Sequence, residues 1–121
     1  MRRTRTSTPV QALVTLNDVQ YVEAARALAE SVLARDRPRA EQVSEAYLRL
    51  AGQSPTGKEL RVLLMGFEEQ FAYYRAHVSE AIELCEVGDS PRREGLRASE
   101  VAAMTVTVQT VMNMDAVVWK R

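Results

Sequence analysis

Between Asp18 and Arg35 the residues Tyr21, Val22, Ala25, Leu28, Ala29, Val32 and Leu33 recur at i, i+3 and i+4 spacing. That period lays a single apolar stripe along an α-helix, whereas a strand would send successive side chains to opposite faces. Asn17 or Asp18 is placed to cap the helix, and Asp36-Arg37-Pro38 ends it at about Arg35. Glu23, Arg26, Glu30 and Arg35 fall largely off the stripe. A helix with one apolar face has to bury it against another element, so this segment commits the chain to layered packing.

The remaining segments repeat the pattern. A short helix is predicted from Thr8, where Thr8 caps, Pro9 suits the first helical position and Gln11 completes a capping box. Val10, Leu13 and Val14 share its face. A helix from about Arg39 to Ala51 carries Val43, Ala46, Tyr47 and Leu50 inward and stops at Gly52. Thr56 and Glu59 form a second capping box. The stripe after it runs through Leu60, Leu63, Leu64, Phe67, Phe71 and Tyr74 and continues through Val78, Ile82 and Cys85 toward Val87, with a break expected near His77-Ser79. Gly88, Pro91 and Gly95 mark a loop. From Ser99 onward Thr105-Val106-Thr107-Val108 alternates as a strand would, but Ser99 is a good cap and Ala102, Ala103, Met104, Met112 and Met114 favour helix. A lone strand would have no partner in a helical chain, so a helix is expected. It is apolar over much of its circumference, as a helix packed on several sides should be.

The chain has 121 residues, of which 46% are hydrophobic and only 6% aromatic. This suits one domain over residues 1–121, with residues 1–7 a loose tail and a core built from Leu, Val and Ala. The fold class expected is all-α, a single irregular or orthogonal bundle of five or six helices. Sixteen basic residues balance sixteen acidic ones, which removes any global attraction to nucleic acid or anionic membranes. One cysteine, Cys85, excludes an intrachain disulfide. No apolar run approaches the roughly 18 residues of a membrane span. The opening MRRTRTSTPVQALVTLND is basic and then briefly apolar, and Gln11 and Asn17 interrupt it; it reads as a helix and not as a signal peptide.

At Thr8-Pro9-x-Gln11-Ala12-Leu13-x-x-Leu16-Asn17-Asp18 the chain resembles a C-terminal domain of unknown function found in large exported planctomycete proteins, many of which also carry a cytochrome-c-like domain. Members typically read T-P-x-Q-A-L-x-x-L-N-D-P and then E-A-A-R-x-L-A; here the second part is Glu23-Ala24-Ala25-Arg26-Ala27-Leu28-Ala29. Tyr47-Leu48-Arg49-Leu50 and Pro55-Thr56-x-x-Glu59-Leu60 resemble the family's A-Y-R-L and P-T-x-x-E-L. Glu100-Val101-Ala102-Ala103 and Asn113-Met114-Asp115 resemble E-L-A-A-W and N-L-D-E-F. Val19 stands where Pro is usual, Met104 lies near the usual Trp, and Gln53-Ser54-Pro55-Thr56 replaces R-P-P-T. The resemblance implies that this chain is the C-terminal part of a longer parent and that the parent is exported or periplasmic. It supplies no catalytic residues to carry over.

Candidate chemistry is sparse. His77 is the one histidine; a metal, haem or general-base role would need partners, and no C-x-x-C-H exists to attach haem. The plainer reading is a histidine at a helix end. Cys85 could be a nucleophile but occupies the apolar stripe, where a thiol packs as a small hydrophobe. Met104, Met112 and Met114 could be soft ligands and read more simply as core filling. Glu68, Glu69, Glu80, Glu83 and Glu86 would need to converge in a pocket to act as acid and base, and helical spacing puts several on a solvated face. Arg2, Arg3 and Arg5, with Arg92, Arg93 and Arg97, would need interleaved aromatics or a recognition motif to read nucleic acid. Thr8, Gln11, Asn17 and Asp18 are explained by capping.

No catalytic, cofactor-binding or metal-ligating residue is therefore assigned, and no cofactor is expected. The reading is a non-catalytic helical module that packs against upstream domains of a parent protein or a second copy of itself, with neither nucleic acid nor a membrane span involved. Val117, Val118 and Trp119, at the end of an already apolar helix, suggest more apolar surface than a short bundle covers. The alternative is an accessory part of an exported haem-linked electron-transfer protein or enzyme whose site lies upstream.

Overall fold

A computed structural model describes residues 19–88 and 95–118 of the chain. They form α1 (Val19–Leu33), α2 (Arg39–Ala51), α3 (Gly57–Ala76), α4 (Val78–Cys85) and α5 (Ala98–Val118), with no strand among the described residues. The all-α expectation holds. The short helix expected from Thr8, the caps at Asn17 and Asp18, and the loose tail over residues 1–7 lie outside the described residues.

α5 is the centre of the bundle. It touches α1, α2, α3 and α4, while the outer helices touch their neighbours in sequence. Val101, Ala102, Ala103, Met104, Thr105, Thr107, Val108 and Val111 are all buried. With neighbours on several sides, the Thr-Val-Thr-Val alternation carries no strand information, because nearly every position there faces protein. The threonines stay compatible with a buried helix by bonding backward. Thr105 Oγ1 donates to the Val101 carbonyl at 2.7 Å and Thr107 Oγ1 to the Ala103 carbonyl at 2.9 Å, so neither hydroxyl is orphaned.

The outer helices begin and end where local chemistry says they should. Gly52 takes φ 80°, and its N–H bonds the Leu48 carbonyl at 2.8 Å, closing α2 with a left-handed residue that glycine adopts without a Cβ penalty. Thr56 Oγ1 accepts from the Glu59 N–H at 3.1 Å, and Glu59 Oε1 accepts from the Thr56 N–H at 2.9 Å, the reciprocal capping box read from the sequence. Tyr47 also donates to Glu59 Oε1 at 3.1 Å, tying α2 to the start of α3. The long stripe breaks at His77, with φ −131° and ψ 64°, so a single residue separates α3 from α4. α1 stops at Leu33, two residues before the expected Arg35.

Ala25, Ala29 and Val32 of α1, Val43 and Ala46 of α2, Leu63 and Phe67 of α3, and Cys85 of α4 close on Val101, Met104, Val108 and Val111 of α5. Each fully buried Val, Leu or Phe contributes about 1.5–3 kcal/mol. The small residues on α1 set the closeness of its approach to α5.

Arg26 and Glu30 lie off the apolar stripe of α1 and are nonetheless buried, at 1% and 7% exposed. Arg26 Nη1 donates to Glu30 Oε2 at 3.0 Å and Nη2 to the Val87 carbonyl at 3.3 Å. The residues that follow α4 fold across this side of α1 and cover the pair. Gly88 belongs to the same closure. It holds φ 90°, and a Cβ there would come within 2.6 Å of the Glu23 carboxyl group. A charge on the polar side of a helix is solvated only if no later segment crosses it.

Candidate interaction surface

α3 and α5 lie side by side, and between them runs a groove of ≈160 Å³. Its walls are Val62, Leu63, Gly66 and Gln70 from α3 and Val106, Thr107 and Thr110 from α5. Val62, Gly66 and Gln70 follow one i, i+4, i+8 ridge, and Val106 and Thr110 an i, i+4 ridge, so each helix contributes one row. Gly66 keeps the groove open: a Cβ built there meets nothing within 4 Å. Beside it Val62 is 56% exposed and Met65 is 64% exposed. No charged side chain lines the groove. The charges flank it instead, with Lys58 and Arg61 toward the start of α3 and Glu68 and Glu69 beyond Met65. None of these four enters an ion pair among the described residues. The polar groups among the groove's lining residues are the Gln70 amide and the hydroxyls of Thr107 and Thr110. The groove offers an apolar seat rimmed by charges of both signs.

Elsewhere several charges are paired. Glu45 is reached by Arg49 at 2.6 Å, Arg35 at 3.2 Å and Arg37 at 3.8 Å. The depression of ≈380 Å³ at that cluster is lined by two arginines, Arg35 and Arg37, and two glutamates, Glu41 and Glu45, and so selects neither anions nor cations. Arg39 reaches Glu100 at 2.6 Å and lies over the Phe67 ring, 4.4 Å from its centroid, where it closes one end of the core and links α2 to α3 and α5.

The candidates from the sequence fall as follows. His77 is exposed at the α3–α4 break. Its Nδ1 lies 2.9 Å from the Tyr73 carbonyl, which only accepts, so this bond places the ring proton on Nδ1. The ring stacks on Tyr73 with centroids 4.2 Å apart. Tyr73 in turn donates to Glu80 at 2.6 Å, and that bond raises its hydroxyl above the ordinary tyrosine range. These residues brace the corner between two helices. Cys85 is fully buried and its Sγ faces the Ala98 carbonyl at 3.7 Å. Met104 is fully buried, and Met112 and Met114 pack against the core. Glu68, Glu69, Glu80, Glu83 and Glu86 are exposed. The described residues contain no cluster of three His, Cys, Asp or Glu able to hold a metal. No described helix is long and apolar enough to cross a membrane. Arg97 is exposed; Arg2, Arg3, Arg5, Arg92, Arg93, Thr8, Gln11, Asn17 and Asp18 lie outside the described residues. So do Trp119 and the side chains of Val117 and Val118.

The surplus apolar surface expected at the tail of the last helix falls on side chains outside the described residues; among the described residues, α3 carries exposed Val62 and Met65. Over Val101–Val111 the helix α5 spends its apolar circumference inside the bundle, whereas α3 leaves Val62 and Met65 in water. Sequence periodicity missed this because Val62 and Met65 sit beside the stripe that α3 buries. A valine and a methionine on the outer face of a well-patterned amphipathic helix were the available signal.

These features define a small all-α module whose best-formed surface feature is an apolar groove. Residues 1–66 match the PSD1 family, described as a protein of unknown function (DUF1553). The match spans 66 of the 121 residues and takes in α1, α2 and the part of α3 that carries Val62 and Gly66; the chain belongs to this family. No curated protein and no solved structure matches the chain.

Proposed function

We propose that the protein is a non-catalytic helical module that works by seating its α3–α5 face against another protein surface. The observation that carries the reading is the pairing of exposed Val62 and Met65 with the uncharged groove next to them. Apolar side chains clustered with an open, uncharged groove mark a surface that is covered in use.

The test uses the buried state of Cys85, which leaves a new surface cysteine as the reactive thiol of the folded chain. A Met65→Cys variant is labelled with a maleimide in its native assembly in source-cell extract, and again after purification and dilution. Labelling should be several-fold slower in the native assembly, while a Glu83→Cys control on α4 reacts equally in both. Equal rates for Met65→Cys would sink the reading.

A further inference from the structure

The occupant of this face can be argued from the charges around it. We propose that it is a second copy of the same chain, docked by antiparallel pairing of the two α3 helices about a two-fold axis near Met65. The proposal rests on the interaction-module reading above and adds the identity of the partner.

Arg61, Val62, Met65, Glu68 and Glu69 are all exposed, and helical spacing sets them on one face of α3. Arg61 lies four residues before Met65 and Glu69 four residues after it. A two-fold axis at Met65 therefore maps Arg61 onto Glu69 and Val62 onto Glu68: Arg61 faces Glu69 of the partner subunit, Val62 lies along the methylenes of Glu68 of the partner subunit, and both pairs form again on the far side of the axis. Neither residue has an ion-pair partner among the described residues, so the docking breaks no existing pair. A parallel arrangement would set Arg61 beside its own copy and Glu69 beside its own, which repels on both counts. An isologous contact also brings each residue on the axis against itself, which only an uncharged side chain tolerates. Met65 occupies that position, and its flexible thioether packs well against a copy of itself.

Gly66 opens the groove on the α5 side of Val62, and its missing side chain relieves no contact within the chain. An interface built on one pair of helices falls at the small end of specific interfaces. The dimer is accordingly a weak one that depends on protein concentration.

Sedimentation equilibrium on four proteins tests this: the unchanged chain, Arg61→Glu, Glu69→Arg, and the double exchange. The unchanged chain should dimerise reversibly. Each single exchange turns two attractive pairs into two repulsive ones and should weaken the dimer about tenfold or more. The double exchange restores opposite charges and should return the dissociation constant to within a few-fold of the original. Circular dichroism checks that the variants fold, as exposed positions should allow. A chain that stays monomeric to millimolar concentration, or a double exchange that fails to rescue, overturns the proposal. If Met65→Cys is nevertheless protected in the native assembly, the module reading stands and the second copy is ruled out as its partner. Free labelling there removes the module reading itself.

Discussion

Replacing Glu30 by leucine should lower the stability of the fold by about 3–5 kcal/mol, the loss expected when one partner of a buried ion pair is removed. The structure supplies the reasons. The Arg26 side chain is 1% exposed and that of Glu30 is 9% exposed, with Nη1 and Oε2 3.0 Å apart. Charges about 4 Å apart attract by about 4 kcal/mol at the effective dielectric of a protein site. Each ion gave up several kcal/mol of hydration to be there, so the intact pair is close to neutral overall. Without Glu30 the guanidinium keeps its desolvation cost and loses the attraction of that carboxylate, while the bond to the Val87 carbonyl, worth about 1 kcal/mol, remains. Arg26→Met alone should cost a similar amount. The double replacement Arg26→Met/Glu30→Leu removes both penalties and should lie within about 2 kcal/mol of the unchanged protein. The assay is urea denaturation followed by circular dichroism, run as a double-mutant cycle. The coupling should be about 3 kcal/mol or more and nearly the same in low salt and in 1 M salt, because a covered pair is little screened. Single replacements that cost less than about 1 kcal/mol, or that simply add, would refute the argument that the pair is dry and closed over by the residues after α4.

Gly66→Ala should stabilise the isolated fold by about 0.5–1 kcal/mol, since helix propensity rises and the new Cβ meets nothing; a lower melting temperature at low concentration would contradict the open groove. Thr56→Ala should cost about 1 kcal/mol through loss of the α3 cap, measured as a shift in urea midpoint at constant slope. Tyr73 is held neutral by its bond to Glu80, so its ionisation lies above the ordinary value of 10.0. A raised folded-state pKa means that its stabilisation of the α3–α4 corner is fully present below the unfolded pKa and is lost as pH rises through the folded one. The absorbance titration at 295 nm, differenced against Tyr73→Phe, should shift downward in Glu80→Gln, and an unmoved curve would exclude the bond.

Most of the helix plan was legible because its signals are local. The left-handed glycine at Gly52, the reciprocal Thr56–Glu59 cap and the single-residue break at His77 all depend on neighbours within one turn. The core stripes of α2 and α3 were legible for the same reason that any amphipathic helix is. Arg26 and Glu30 were not. An i, i+4 pair of opposite charges looks the same in a sequence whether it is solvated or covered, and the covering carbonyl belongs to Val87, 61 positions along the chain. The exposed face of α3 was obscured differently. Val62 and Met65 are adjacent in sequence to buried or half-buried residues, and only the placement of α5 decides which rows of α3 are enclosed. The Thr105–Val108 alternation resembles a strand because a helix enclosed on most sides has no polar face to set its period, and the helix there was legible from its helix-forming neighbours instead.

α5 follows the four helices that it joins. That order has a kinetic meaning. During synthesis α1, α2, α3 and α4 leave the ribosome with amphipathic faces but without the surface that most of those faces pack on. The polypeptide must hold roughly four-fifths of its described length in an uncommitted state before the joining helix is made. Folding is therefore gated by a late, long-range event rather than accumulated helix by helix, and contacts between α1 and α5 carry a large loop-closure cost. Residues 1–66, the segment that identifies the family, should accordingly be unable to fold when expressed without the rest of the chain.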